Sequence, residues 1–211
     1  RSASAAMMRA AQLGFPVALK IDSPDITHKS DVNGVALNVL NAIGVRDVYE
    51  EMIESVRRKQ PQARINGITV QRMASHVRGR ELYIGVVTDE AFGPVIAFGA
   101  GGTMIELYSD RSMELPPLNQ FLARHMMERS RVSATLGAWR GAHPVNHEAL
   151  EQILLRVSEM VCELPQLREM DINPIIVDEN GAVAVDARIV VGNTLATARP
   201  YQHLSILPYP A

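Results

Sequence analysis

Residues 170–190 read Met170-Asp171-Ile172-Asn173-Pro174-Ile175-Ile176-Val177-Asp178, then Glu179-Asn180-Gly181, then Ala182-Val183-Ala184-Val185-Asp186-Ala187-Arg188-Ile189-Val190. Two apolar runs flank an Asn-Gly, a strong short-range signal for a β-hairpin with strands Met170–Asp178 and Ala182–Val190. Side chains alternate across a strand. With an even loop, Ile172 and Ile176 share one face with Val183, Val185, Ala187 and Ile189. The opposite face presents Asp171 and Asn173 on one strand, Asp186 and Arg188 on the other. Burial of the apolar face fixes this register. Three oxygen-bearing side chains then come within cross-strand reach. Carboxylate and amide oxygens are hard ligands, suited to a Mg²⁺ that keeps waters and takes further ligands from phosphate. Arg188 can hold a phosphate oxygen bidentately. The spacing fits equally a solvated outer face of an edge hairpin, so by itself it leaves both readings open.

Working back from the hairpin, His147 to Leu164 carries Leu150, Ile153, Leu154, Val157 and Val161 at helical spacing. Asn119 to Arg129 is a second helix. Glu81–Val87, Val95–Phe98 and Met104–Tyr108 read as strands separated by Gly-rich turns. Before Met73 the texture differs. Helix Ala5–Leu13 stops at Gly14 and Pro16, and Val17-Ala18-Leu19-Lys20-Ile21 is a short apolar strand. A polar loop over Asp22–Asn33 follows, then strand Gly34–Leu40, an amphipathic helix Val45–Lys59 and strand Ile68–Gln71. The class is therefore α+β (α/β), with two α+β layers that meet near residue 73. The expected units are 1–72 and 73–192, with 193–211 as a C-terminal linker. A cleft between such halves is a common place for a ligand.

Composition narrows the function. The 211 residues are 47% hydrophobic and 21% charged, an ordinary globular balance. Lys+Arg 21 against Asp+Glu 23 leaves a formal charge of −2, which gives no global basic signal for nucleic acid or an anionic membrane. No apolar run approaches the roughly 20 residues of a membrane helix. The single cysteine, Cys162, excludes an internal disulfide and fits a reducing, cytoplasmic compartment. The chain starts at Arg1 and ends in a Pro-rich stretch, so it reads as a piece of a longer polypeptide.

Two further features bear on chemistry. Lys20 ends an apolar strand, where a buried ammonium needs a partner, and a nucleotide phosphate and a structural carboxylate are the two candidates. Gly99-Ala100-Gly101-Gly102 follows a strand. Its backbone can approach a ligand closely and offer N–H groups to an anion, or it can be a plain turn. It matches neither the Walker pattern nor the dinucleotide fingerprint.

Taken together, several runs resemble one family. They are Gly14-Phe15-Pro16-Val17-Ala18-Leu19-Lys20, the stretch from Ser23-Pro24-Asp25-Ile26-Thr27-His28 to Lys29-Ser30-Asp31-Val32-Asn33-Gly34-Val35, and Phe92-Gly93-Pro94. Gly101-Gly102 with Glu106 and Asp110, Gly137-Ala138-Trp139-Arg140-Gly141, and Asp171-Ile172-Asn173-Pro174 complete the set. In this order they resemble the ATP-grasp domain of ADP-forming acyl-CoA (acetyl-CoA) synthetases, over most of residues 5–192. The same domain occurs in bacterial protein lysine acetyltransferases that append a GNAT domain. Leu115-Pro116-Pro117-Leu118-Asn119 and the tail from His203 to Pro210 resemble those fused members.

The resemblance implies an ATP-grasp fold, in which two α+β subdomains clamp ATP or ADP with Mg²⁺. It implies that Lys20 contacts the phosphates, that Gln71 and Met73 fall at the hinge against the adenine, and that Glu81 approaches the ribose or the site wall. Gly101 and Gly102 join the nucleotide site; Asn173 and Asp186, with Asp171 beside them, hold the metal; Arg188 offsets phosphate charge. His28 falls where the synthetases carry phosphate between the acyl-phosphate site and the nucleotide, and a neutral imidazole is a competent nucleophile near pH 7. The first implied function is a nucleotide-binding module of a protein acetyltransferase. The second is the catalytic portion of an acyl-CoA synthetase that transfers phosphoryl through His28, and the third a scaffold without nucleotide. CoA or acetyl-CoA would be bound by domains outside this chain, the full protein would be a homo-oligomer, and the piece alone would not make acetyl-CoA. Asn33 stands where the family often has glycine, and Glu114 where many synthetases have arginine.

Other signals read as packing or solvent. Met126, Met127 and Met160 fill core or interface, Cys162 is a buried inert thiol, and Arg57-Arg58-Lys59 is a solvated helix end. The remaining histidines lack metal-ligand spacing.

Overall fold

The computed structural model describes residues 2–74, 79–102, 111–138, 141, 143–192 and 200–204. The chain divides into two compact units, Arg1–Ser75 and His76–Ala211.

Unit 1 is a three-stranded antiparallel sheet with two helices. Helix α1 (Ala3–Leu13) is capped by Ser2, whose Oγ accepts the Ala5 N–H at 3.2 Å, and it ends at Gly14 with φ +80°. Strands β1 (Val17–Asp22), β2 (Val35–Val39) and β3 (Gly67–Arg72) lie in the order β2-β1-β3. Helix α2 (Ala42–Lys59) begins three residues before the expected Val45, because Asn41 Oδ1 accepts the Gly44 N–H at 2.8 Å. An N-cap amide satisfies a donor that the helix itself cannot, so the first turn closes around Gly44. Val17, Leu19 and Ile21 of β1 pack with Ala6 and Ala10 of α1 and with Val45, Met52 and Val56 of α2. Ala18 and Lys20 therefore point to the other face of the sheet.

Unit 2 is an antiparallel sheet in the order β6-β5-β4-β7-β8, with β9 also paired to β7. The strands are β4 (Arg80–Asp89), β5 (Gly93–Ala100), β6 (Arg111–Glu114), β7 (Leu167–Val177), β8 (Ala182–Ala184) and β9 (Ala187–Val191). Helices α3 (Gln120–Arg129), α4 (Ser133–Leu136) and α5 (His147–Glu163) belong to the same unit. Leu82, Ile84, Val86, Ile96 and Phe98 share the core with Met126 and Met127 of α3 and Leu150, Leu154, Val157 and Val161 of α5. Strand β6 and helix α4 were not expected from the sequence. The expected strand Met104–Tyr108, together with Glu106, Asp110, Trp139 and Arg140, lies outside the described residues. Residues 200–204 lie against α5: Tyr201 N–H donates to the Cys162 carbonyl at 2.8 Å, and His203 Nε2 is 3.7 Å from Cys162 Sγ. Burial pushes the Cys162 thiol up, which fits an inert buried group.

The hairpin forms, with one departure from simple alternation. Asp171 stands opposite Arg188 and Ile172 opposite Ala187, as expected. Against β4, however, β7 carries one residue too many, since Leu82 pairs with Ile175 but Ile84 with Ile172. The extra residue is a bulge at Asn173-Pro174, where proline has no N–H for the ladder. Beyond it the core side changes from Met170 and Ile172 to Ile175 and Val177. Ile176, expected on the buried face of Ile172, is only half-buried, and Val183, Ala187 and Ile189, expected on that same buried face, are exposed on the outer strands.

Candidate functional site

In unit 2 the bulge turns strand order into a cluster. Gly101 N–H extends the β4–β5 ladder by donating to the Glu81 carbonyl at 2.8 Å. The next residue, Gly102, has φ +64° and donates its N–H to Asn173 Oδ1 at 2.7 Å. A Cβ on Gly102 would collide with the Glu81 carboxylate. Asn173 N–H in turn donates to the Asp186 carbonyl at 3.1 Å, from the short link between β8 and β9. Glu81, Gly101, Gly102, Asn173 and Asp186, scattered over 106 positions from 81 to 186, are thus brought together. Bulges characteristically re-aim a side chain beside a functional site, and here the re-aimed group is the Asn173 amide.

Two residues along β7, Asp171 lies opposite both Gly85 and Arg188. It shares a shallow pocket with Tyr83, Glu169 and Arg188. Tyr83 is only 7% exposed, and its hydroxyl fills the space a Cβ on Gly85 would need. Burial, then the Asp171 charge, pushes the Tyr83 phenol up, while Arg111 opposes the shift. The Arg111 guanidinium lies 5.5 Å from the Tyr83 ring centroid, a cation–π distance. Sequence reading missed Tyr83 and Arg111. The usable signal was the period-2 relation of Tyr83 to Glu81 and Gly85; Arg111 had none, because its strand was not anticipated.

Unit 1 presents its groups differently. Lys20 is 7% exposed at the centre of the sheet, between Val35 and Thr69. Gln71 is exposed on β3 opposite Ala18, the same face as Lys20. Met73 follows β3, half-buried, with its N–H on the Pro16 carbonyl at 3.1 Å. His28 is exposed at the start of a 3₁₀ turn over Lys29–Val32. That turn ends at Asn33 with φ 56° and ψ 33°, left-handed geometry that asparagine tolerates well. The asparagine in place of a family glycine is therefore compatible with the loop.

Two sequence readings change meaning here. Glu114 pairs with Arg129 of α3 at 3.3 Å. It stands opposite Ile96, a core residue, so its side chain belongs to the helix-covered side and away from Tyr83 and Asp171. Lys59, read as part of a solvated helix end, donates to the Asp31 carbonyl at 2.9 Å and to Asn33 Oδ1 at 3.3 Å.

The donor set fits a hard cation with few protein ligands. Among the described residues no three His, Cys, Asp or Glu side chains converge on a metal position. Asn173 and Asp186 offer one amide and one carboxylate, as suits a Mg²⁺ that takes its other ligands from water and phosphate. No helix of the described residues is long and apolar enough to cross a membrane.

Comparison with known proteins agrees with this architecture. The ATP-grasp domain model matches residues 1–191, and the chain belongs to that family. The beta subunit of acetate–CoA ligase (ADP-forming) I from Pyrococcus furiosus is 37% identical over 191 residues, 90% of this chain and 82% of that subunit. A structure of dinucleotide-forming acetyl-coenzyme A synthetase 1 from Ca. Korarchaeum cryptofilum, with coenzyme A and Ca-AMPCP, superposes with TM-score 0.86 at 41% identity, covering 91% of this chain and 83% of that one. A second structure of that synthetase, with coenzyme A and Mg-AMPPCP, has TM-score 0.76 and 37% identity and covers 90% and 82%. In it the phosphohistidine segment is described as pointing towards the nucleotide binding site. Some single-chain curated relatives are spanned to only about a quarter of their length, 26% in one case. The present chain is the ATP-grasp domain of an ADP-forming acetyl-CoA synthetase-like protein.

Proposed function

We propose that this domain is the nucleotide-handling portion of an ADP-forming acyl-CoA synthetase and that its ligand is a Mg-nucleotide. The observation that supports this most directly is the Gly102 N–H to Asn173 Oδ1 bond, 2.7 Å, which sets the glycine turn beside Glu81 and Asp186. Asn173 and Asp186 would hold Mg²⁺, with Asp171 alongside. The metal would neutralise phosphate charge, the main requirement in phosphoryl transfer. Lys20 and Arg188 would add positive charge at the phosphates. Gln71 and Met73 would border the adenine, and Glu81 with Gly101 and Gly102 would border the sugar and phosphates.

His28 would carry the phosphoryl group. A neutral imidazole nitrogen donates its lone pair to the γ-phosphorus of ATP, forming the N–P bond. The bond from that phosphorus to the β,γ-bridging oxygen breaks, and its electron pair leaves on ADP. The second ring nitrogen releases its proton to solvent, and reversal with ADP regenerates ATP. Coenzyme A and the acyl group would be handled by other parts of a larger, cytoplasmic, homo-oligomeric protein, so the 211 residues alone would not make acetyl-CoA. A fused GNAT domain is supported only by Leu115–Asn119 and the tail from His203, and the sequence following Ala211 decides it.

Titration calorimetry of the 211-residue chain with ATP and ADP, with and without Mg²⁺, tests the metal assignment. Asp186→Ala is expected to weaken Mg-nucleotide binding by about tenfold or more, the loss of a charged ligand, and metal-free binding much less. Equal losses in the two titrations remove the metal from the hairpin.

A further inference from the structure

We infer that Lys59 is a positioning residue for His28: from the end of α2 it clasps the C-terminal foot of the histidine loop and so sets where the imidazole stands. The inference rests on the carrier reading of His28 and adds to it a residue outside the loop.

The loop is fixed at both feet and bare at its crest. At the N-terminal foot Asp25 Oδ2 accepts the Arg64 N–H at 2.7 Å, Ser23 Oγ accepts the Asp25 N–H at 3.2 Å, and Ile26 is buried. At the C-terminal foot Val32 is buried and its carbonyl accepts from Ser55 Oγ at 3.3 Å. Gly34 N–H donates to the Lys29 carbonyl at 2.7 Å, and a Cβ there would meet Ile21 Cγ2 at 2.5 Å. The Lys59 ammonium then takes both the Asp31 carbonyl and the Asn33 amide oxygen. His28 lies between these feet, exposed and without a hydrogen bond from its ring to another described residue.

The clasp has a physical consequence because Asn33 is the residue in left-handed geometry. Asparagine accepts that conformation more readily than other residues with a Cβ, and its side-chain oxygen is then free to be held from outside the loop. Lys59 holds it from the side-chain end, while the Asn33 N–H is held by the Ser30 and Lys29 carbonyls. An ammonium binding two oxygens is a charge-assisted contact and stronger than a neutral one. Without it the last turn of the loop can relax, and the imidazole three residues before Asp31 loses its fixed base. A nucleophile that must meet a phosphorus in line is sensitive to such loosening, because small misplacements cost rate steeply.

Lys59→Met keeps the stem and removes every donor; Lys59→Arg restores donors and charge. Arg58→Met, at the same helix end, removes an equal charge without touching the loop, since among the described residues Arg58 pairs only with Glu54, at 4.0 Å. Two quantities are measured on each variant: hydrogen exchange of the Asn33 and Gly34 amides, and the single-turnover rate of acid-labile label transfer from γ-labelled Mg-ATP to the protein. The expected result is faster exchange and a rate about five- to tenfold lower in Lys59→Met, the loss of one or two charge-assisted hydrogen bonds. Nucleotide affinity should be unchanged, Lys59→Arg should largely recover, and Arg58→Met should resemble wild type. Unchanged rate in Lys59→Met, with or without faster exchange, overturns the positioning role. Loss in Arg58→Met equal to that in Lys59→Met also overturns it, by making the effect one of helix-end charge. If wild type itself takes no label on His28, the carrier reading falls, and the positioning role falls with it. Faster exchange in Lys59→Met would then mark Lys59 as a structural tie of the loop.

Discussion

The two units hold their charged groups in opposite ways. In unit 1 the cation is buried in the middle strand and the histidine rides a loop tied down from far along the sequence, by the Arg64 main-chain N–H and the Lys59 ammonium. In unit 2 Asp171, Asp186 and Arg188 are exposed on or beside strands, and the glycines near them are crowded: a Cβ would meet the Leu82 backbone at Gly101, the Glu81 carboxylate at Gly102 and the Tyr83 hydroxyl at Gly85. The first arrangement can give by small amounts when one tie is cut. The second has least slack at Gly101, whose neighbour is main chain held within the sheet.

The largest effect is therefore expected from Gly101→Ala. The residue is buried, and its new Cβ would fall on the Leu82 backbone, which β4 holds in the centre of the sheet. Backbone cannot move aside as a side-chain tip can, so the cost should reach or exceed about 3 kcal/mol, the upper end for overpacking. Gly34→Ala in unit 1 meets Ile21 Cγ2 at 2.5 Å and the Lys29 carbonyl at 2.8 Å, one in the core and one in the loop. The loop can yield, and a cost of about 1–2 kcal/mol is expected. Urea unfolding of both variants compares them directly. A larger loss for Gly34→Ala would reverse the contrast between the units.

A smaller effect separates packing from chemistry on β6. Glu114 and Arg129 form a partly exposed pair, with side-chain exposures of 23% and 44%. Arg129 also donates to the Met113 carbonyl at 2.8 Å, so it ties α3 to the strand beyond the ion pair itself. Glu114→Arg should cost about 1 kcal/mol, the usual range for such a pair plus the new repulsion. Adding Arg129→Glu should recover part of it, and nucleotide affinity should not change in either. A tenfold loss of affinity in Glu114→Arg with stability intact would place Glu114 in the site after all.

These contrasts also explain what could be read in advance. Asp171 and Arg188 were visible because a strand face obeys period two, and the resemblance to synthetases carried Lys20, His28 and Asn173 by motif order. The class of fold and the existence of two α+β layers followed from strand and helix texture. Period two failed at Asn173-Pro174, where a proline that cannot donate forces an extra residue and moves Ile176 off the buried face. Lys59 was unreadable for another reason. A basic helix end normally complements the helix dipole in solvent, and only the tertiary fold brings residue 59 to residues 31 and 33. Arg111 was hidden because Arg111-Ser112-Met113-Glu114 is four residues long, three of them polar, and carries no alternation that would mark a strand.

The smallest expected effect concerns a local tie in unit 2, and it sharpens the contrast with the long-range ties of unit 1. Asp89 Oδ1 accepts the Phe92 N–H at 2.9 Å and the Ala91 N–H at 2.8 Å at the turn between β4 and β5. These bonds favour the ionised form, so they hold the Asp89 carboxyl below the usual carboxylate range. A lowered folded value means that the stabilisation is complete above the ordinary value of about 4 and is lost as pH falls through the folded one. Asp89→Asn keeps the acceptor oxygen and the turn preference but removes the charge. Thermal unfolding at pH 6 should show the wild type slightly more stable than Asp89→Asn. The gap should close as the pH is lowered past the point where Asp89 protonates, and a gap that stays constant down to pH 2 would mean that the charge contributes nothing to the turn. Because the bonds span only two and three residues and the group is exposed, nucleotide binding should be the same in both proteins at pH 6.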